Sequence, residues 1–255
     1  MVYGIERFKE YFCDYTEQYI LIGGTACAIL LDEIGVPFRA TKDLDVVLLI
    51  EALNESFGYK FWEFIEAGGY EHRGKSTGKE QFYRFTNPSE AGFPAMIELF
   101  SRRPDKIKLH FNSLLTPIHI AEEITSLSAI LLNDAYYNLL LEGRSIVSGY
   151  SVLGMEYIVL FKIKAWLDLS ERVRDGEPID SKTVKKHKND VFRLLRNVSP
   201  GIRIPVEKAV REDVKSFLVK VIEDPPDLKN IGFRKMTLEA MCLQIRELYG
   251  ITVKT

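Results

Sequence analysis

Apolar positions follow two patterns along this chain: short runs punctuated by glycine and proline up to about residue 153, and long helical periodicities beyond it. Residues 4–16 place Ile5, Phe8, Tyr11 and Phe12 on one side of a predicted helix. The run 19–22 ends at Gly23-Gly24, and a second run covers 46–50; each predicts a strand, the latter buried on both faces. Between them, 26–34 reads as a helix stopped by Gly35, with Pro37 just beyond. Residues 55–67 predict another helix, carrying Phe57, Phe61, Phe64 and Ile65 at helical spacing and ended by Gly68-Gly69. Two strands are predicted at 80–86 and 95–100, about a turn at 87–92. Residues 105–125 are irregular with strand character, and 126–132, 136–141 and 145–153 predict further strands.

From Met155 the pattern becomes helical. Residues 155–175 predict a long helix that is apolar over much of its circumference. A polar loop at 176–185 and a helix at 186–198 follow. Two amphipathic helices complete the chain after 206, with Pro225-Pro226 between them. The expected class is α/β (α+β), with a mixed-sheet core at 1–153 and a helical region at 154–255.

Composition narrows the picture. A chain of 255 residues suffices for one large domain or two modest ones. Its 46% hydrophobic and 27% charged residues suit a globular protein with a core. Lys and Arg number 34 against 36 Asp and Glu, and the resulting net charge of −2 does not announce nucleic-acid binding. Cys13, Cys27 and Cys242 are widely spaced, which suggests neither a disulfide framework nor a zinc ribbon and fits a reducing cytoplasm. The four histidines lack metal-ligand spacing. No signal peptide and no membrane span are expected.

The chemistry concentrates between residues 19 and 50. Asp43 and Asp45 open the second strand, and side chains two apart on a strand share a face, with Cα atoms roughly 6–7 Å apart. Two carboxylates so placed repel, and one takes up a proton unless a cation separates them. A hard divalent ion such as Mg²⁺ removes the conflict; alternatively both acids face water and pair with Lys42 or Arg39. Gly23-Gly24 permits a tight turn and close backbone approach. A helix opening at Thr25, which can serve as N-cap, aims N–H groups at a phosphate. The alternative is an ordinary strand-to-helix turn. Glu98 sits amid apolar neighbours on a face with Met96 and Phe100; a buried acid needs a partner, either a shared metal or Arg84 or Lys108. Gly69 to Ser76 matches the pattern G-x-x-x-x-G-K-[ST], yet a phosphate-binding loop of that kind follows a strand and opens a helix, whereas here a helix precedes and a loop and strand follow. Lys162 falls on the apolar stripe of Ile158, Ala165 and Leu169, where it snorkels or meets an anion. Lys164 has Asp168 four residues on and suits a surface pair.

Gly23-Gly24-Thr25 followed by Asp43-Leu44-Asp45-Val46 resembles the signature of the nucleotidyltransferase superfamily, the fold shared with DNA polymerase beta. The form G-G-T-A and then T-K-D-L-D-V is most similar to the AbiEii/AbiGii-type toxins of bacterial toxin–antitoxin systems. One departure is the long gap from Gly24 to Asp43. The resemblance implies Mg²⁺-dependent transfer of a nucleoside monophosphate from an NTP to an acceptor, with Mn²⁺ able to substitute. It assigns one or two ions to Asp43, Asp45 and Glu98, and the triphosphate to Gly23, Gly24 and Thr25. Lys162, in Lys162-Ile-Lys-Ala165, matches a lysine that contacts phosphates. Asp190 matches an aspartate that positions or deprotonates the acceptor, although Asn189 interrupts the usual Lys-Asp pair; otherwise Asp190 forms a helix-surface salt bridge with Lys186 or Arg193. The implied acceptor is a tRNA, a protein hydroxyl or a small molecule, and an antitoxin protein is an implied partner. A non-catalytic nucleotide-binding or partner-binding protein of the same fold, and a phosphohydrolase built on Gly69 to Ser76, stand as alternatives.

Overall fold

The computed structural model describes residues 3–39, 41–49, 51–71, 84–102, 130–131, 133–233 and 235–252. The chain separates into two units, Met1–Leu132 with Glu142–Gly154, and Asn133–Leu141 with Met155–Thr255.

The first unit carries helices α1 (Ile5–Phe12), α2 (Gly23–Glu33) and α3 (Glu55–Gly68). Its strands are β1 (Tyr19–Leu21), β2 (Asp43–Leu48), β3 (Arg84–Thr86), β4 (Met96–Phe100), β5 (Arg144–Val147) and β6 (Tyr150–Leu153). Among the described residues they form one mixed sheet in the order β3-β4-β2-β1-β6-β5. β2 and β4 are parallel, as are β1 and β6; the other neighbours are antiparallel. The architecture is therefore mixed α/β.

The pleat divides this sheet chemically. Tyr19 lies opposite Leu48 and Leu21 opposite Val46, so these residues share one face. Aromatic side chains of α1 and α3 cover that face: Phe8 meets Tyr19 edge-on at 5.3 Å and Phe61 meets Phe85 at 5.4 Å between ring centroids. Such edge contacts contribute about 0.5–1.5 kcal/mol each beyond area burial. The other face, near the start of β2 and β4, carries Asp43, Asp45, Glu98 and Arg84, all half-buried. At the start of β2 and β4 one face thus anchors the core while the other stays within reach of solvent; β1 and β6 are buried on both faces.

The second unit is helical: α4 (Asp134–Glu142), which lies almost wholly within it, α5 (Met155–Arg174), α6 (Ser181–Leu195), α7 (Lys208–Glu223) and α8 (Leu238–Leu248). Trp166 of α5 meets Phe217 of α7 edge-on at 5.3 Å, and Phe217 lies 6.0 Å from Phe192 of α6. The Tyr249 hydroxyl donates to the Glu156 carbonyl at 2.6 Å, tying the end of α8 to the start of α5. Burial raises the Tyr136 hydroxyl far above its ordinary pKa, so it stays protonated and donates to Asp213 at 2.9 Å. No helix among the described residues is long and apolar enough to cross a membrane.

Several elements differ from the sequence reading. Residues 136–141 belong to helix α4 rather than a strand, because Asn133 Oδ1 accepts the Ala135 N–H at 3.0 Å and the backbone closes helical bonds from there. An apolar run this short has no decisive periodicity. Of the strand expected at 126–132, residues 130–131 are helical. The strand expected at 145–153 is a hairpin that turns at Ser148 and Gly149, whose φ angles of 49° and 82° match a two-residue turn of the primed type. Helix α6 begins at Ser181, inside the expected loop, because Asp180 caps it by accepting the Lys182 N–H at 2.9 Å. Residues 80–83 and 105–125 lie outside the described residues.

Candidate functional site

β1 ends at Leu21, and α2 starts at Gly23 rather than after Thr25. The Ile22 N–H donates to the Asp45 carbonyl at 3.1 Å. The Thr25 hydroxyl donates to the Asp43 carbonyl at 2.7 Å, and Thr25 is fully buried. Thr25 therefore does not cap the helix; it laces the glycine turn to the first residue of β2. The N-cap position falls to Ile22, which supplies no side-chain hydrogen bond.

Gly23 has φ +64°, and a Cβ built there would collide with Asp45 Oδ2. The Asp45 carboxylate thus rests against the opening turn of α2, where the helix dipole favours negative charge. A Cβ on Gly24 would lie 2.8 Å from Thr41 Oγ1 and 3.7 Å from a guanidinium nitrogen of Arg39. Both glycines are needed for close approach, Gly23 also for its backbone. Gly23→Ala is expected to lower unfolding free energy by about 1–3 kcal/mol. A denaturant titration reads this, and an unmoved midpoint contradicts the close approach.

Glu98 of β4 lies in register with Asp45 on one side and Arg84 on the other. Arg84 Nε donates to Glu98 Oε1 at 2.7 Å, and Arg84 Nη2 lies 2.7 Å from the same oxygen. The Glu98 side chain is 15% exposed and that of Arg84 37%. Asp45 and Glu98, neighbours across the ladder, therefore lean towards opposite partners: Asp45 to the turn after β1, Glu98 to edge strand β3. Among the described residues no three Asp, Glu, His or Cys side chains gather as a metal-holding group. Asp43 and Asp45 share a face of β2 and offer the oxygen donors that a hard cation takes, whereas Glu98, as placed, answers to Arg84.

Gly69, φ +60°, is the left-handed cap of α3, and the Tyr70 N–H returns to the Ile65 carbonyl at 3.2 Å. A helix thus precedes the Gly69 to Ser76 segment, as the sequence indicates; residues 72–76 lie outside the described residues.

In the second unit, Lys162 and Asp190 are each other's partners, Nζ to Oδ2 3.6 Å, with side-chain exposures of 9% and 0%. Arg193 reaches the other carboxylate oxygen at 3.2 Å. Asp190 lies in the interior of this unit, not on a helix surface. Lys164 pairs with Asp168 at 2.7 Å, as its spacing predicts. Lys188, 3% exposed, was overlooked at the sequence level: it donates to the Asp224 carbonyl at 2.7 Å at the end of α7 and lies 5.6 Å from the Trp166 ring centre. Thr41 beside Gly24 carries no signal in the sequence, and Arg39, which the sequence offers as a partner for the two aspartates, also comes close to Gly24.

No family model matches the chain, and comparisons with curated proteins and with solved structures found no match.

Proposed function

We propose that the protein is a Mg²⁺-dependent nucleotidyltransferase that moves a nucleoside monophosphate from an NTP to a tRNA or protein acceptor, in the manner of AbiEii-type toxins. The observation that carries this reading is the pair of hydrogen bonds that lace the residues flanking Gly23-Gly24 to β2, from the Ile22 N–H to the Asp45 carbonyl and from the Thr25 hydroxyl to the Asp43 carbonyl. These bonds bring a glycine turn, a helix N-terminus and two aspartates together at one end of the central strands β1 and β2. The reading rests on the first unit alone.

Asp43 and Asp45 would hold Mg²⁺, or Mn²⁺ in its place, and Glu98 completes the acidic edge. Bound there, the ion supplies Lewis-acid polarisation of the α-phosphate and charge neutralisation of the departing pyrophosphate. Backbone N–H groups at Gly23 and Gly24 orient the triphosphate through the same dipole that favours Asp45. An acceptor oxygen forms a bond to the α-phosphorus as the bond to the β-phosphate bridge breaks, and the acceptor's proton passes to a base. The resemblance assigns that base to Asp190 and phosphate neutralisation to Lys162; within the second unit these two neutralise each other. An antitoxin protein belongs to the same reading as a partner that restrains the activity.

One observation favours a second reading. The Arg84–Glu98 bond is what an ordinary cross-strand ion pair looks like, and it suits a protein of this fold that binds nucleotide or a partner without catalysis. Calorimetric titration with NTP and Mg²⁺, run beside a pyrophosphate-release assay on cell extract, separates the two. Binding with release supports transfer. Binding without release in any extract supports the second reading, and neither binding nor release overturns both. A phosphohydrolase built on Gly69 to Ser76 predicts instead that Lys75→Ala abolishes turnover while Asp43→Ala does not.

A further inference from the structure

We propose that Arg84 takes the place of a second cation: it holds Glu98, so the acidic edge binds one divalent ion, on Asp43 and Asp45, and not two. This inference rests on the nucleotidyltransferase reading only in taking Asp43 and Asp45 as ion ligands.

The register carries the argument. Arg84, Glu98 and Asp45 lie side by side on one face of three adjacent strands. Like charges directly opposite across a ladder repel, and opposite charges attract. Glu98 therefore sits between a repelling neighbour and an attracting one, and its carboxylate goes to Arg84, with two guanidinium nitrogens at 2.7 Å from a single oxygen. Asp45 instead closes on Gly23, at the positive end of α2. A second ion bridging Asp45 and Glu98 needs both carboxylates to turn inward and the guanidinium to leave.

Arginine suits the task because its fork binds carboxylate directionally and it stays charged at every working pH. β3 is the terminal strand of the sheet order among the described residues, and Glu71 bridges to its Thr86. Arg84 is thus a positioning residue: it acts through Glu98 and fixes how many ions the edge accepts.

Mn²⁺ titration of the full chain, with free Mn²⁺ counted by its electron paramagnetic resonance signal, tests the proposal without any turnover. The wild type is expected to bind one ion. Glu98→Gln keeps one ion with affinity changed less than about threefold, since Glu98 is not a ligand. Arg84→Gln frees Glu98 and admits a second ion. Arg84→Lys, which keeps the charge, returns the count to one. Thermal melts of all variants verify that they fold. Two ions on the wild type, loss of the ion in Glu98→Gln, or a count that stays at one in folded Arg84→Gln overturns the role of Arg84 and leaves the nucleotidyltransferase reading standing. No ion on the wild type overturns both.

Discussion

Asp45→Asn is expected to reduce pyrophosphate release by about 10³-fold or more, the equivalent of ~4 kcal/mol of transition-state stabilisation. Asparagine keeps the shape of aspartate and the backbone carbonyl that accepts the Ile22 N–H, so the lacing of the turn to β2 survives. What disappears is one of two charges that would hold the ion beside the α-phosphate. The effect on stability is small, because two terms oppose one another. Loss of the charge at the α2 N-terminus costs about 0.3–1 kcal/mol, while relief of repulsion from Asp43 and from in-register Glu98 offsets part of it. Steady-state assays beside thermal melts check both halves. A folded Asp45→Asn protein that retains activity within about tenfold contradicts the assignment.

Asp190→Ala is expected to cost about 3–5 kcal/mol of stability, seen as a fall of roughly 10–20 °C in melting temperature. The carboxylate has no exposure and lies between Lys162 and Arg193. Deleting it leaves the ammonium of Lys162 buried without its counter-charge, and that penalty exceeds what the pair contributes when intact. Replacing both partners by apolar residues of similar size, Lys162→Met with Asp190→Leu, is expected to recover most of the loss, since no buried charge is then left alone. Arg193, one third exposed, turns its guanidinium to water in either variant. A single variant that melts within about 3 °C of the wild type contradicts the buried pair.

The acidic face was legible in the sequence because a period of two is hard to mistake when charged residues interrupt an apolar run. Asp43, Asp45 and Glu98 do share one face, and the stop of α2 at Gly35 follows from its glycine, whose N–H returns to Asp32. The partner of Glu98 was legible only as a choice. Arg84 and a metal both answer a half-buried acid, and strand register, which the sequence does not contain, decides which is nearer. Residues 136–141 were misread as a strand because Tyr-Tyr-Asn-Leu-Leu-Leu satisfies either period, and the signal that decides, Asn133 as a cap, lies outside the run. The burial of Asp190 was hidden for a different reason. Its charged neighbours on α6 look like a solvated face, and only the packing of α5 against α6 places Lys162 over it.

The central claim is transfer of the α-phosphoryl group with its nucleoside, and position-specific labelling tests it most directly. The protein is incubated with Mg²⁺, cell extract and each NTP, labelled either at the α-phosphate or at the γ-phosphate. The account predicts that α-label enters RNA or protein, that γ-label leaves as pyrophosphate, and that Asp45→Asn does neither. Transfer of γ-label to the acceptor, or the absence of any incorporation across all four nucleotides, contradicts it.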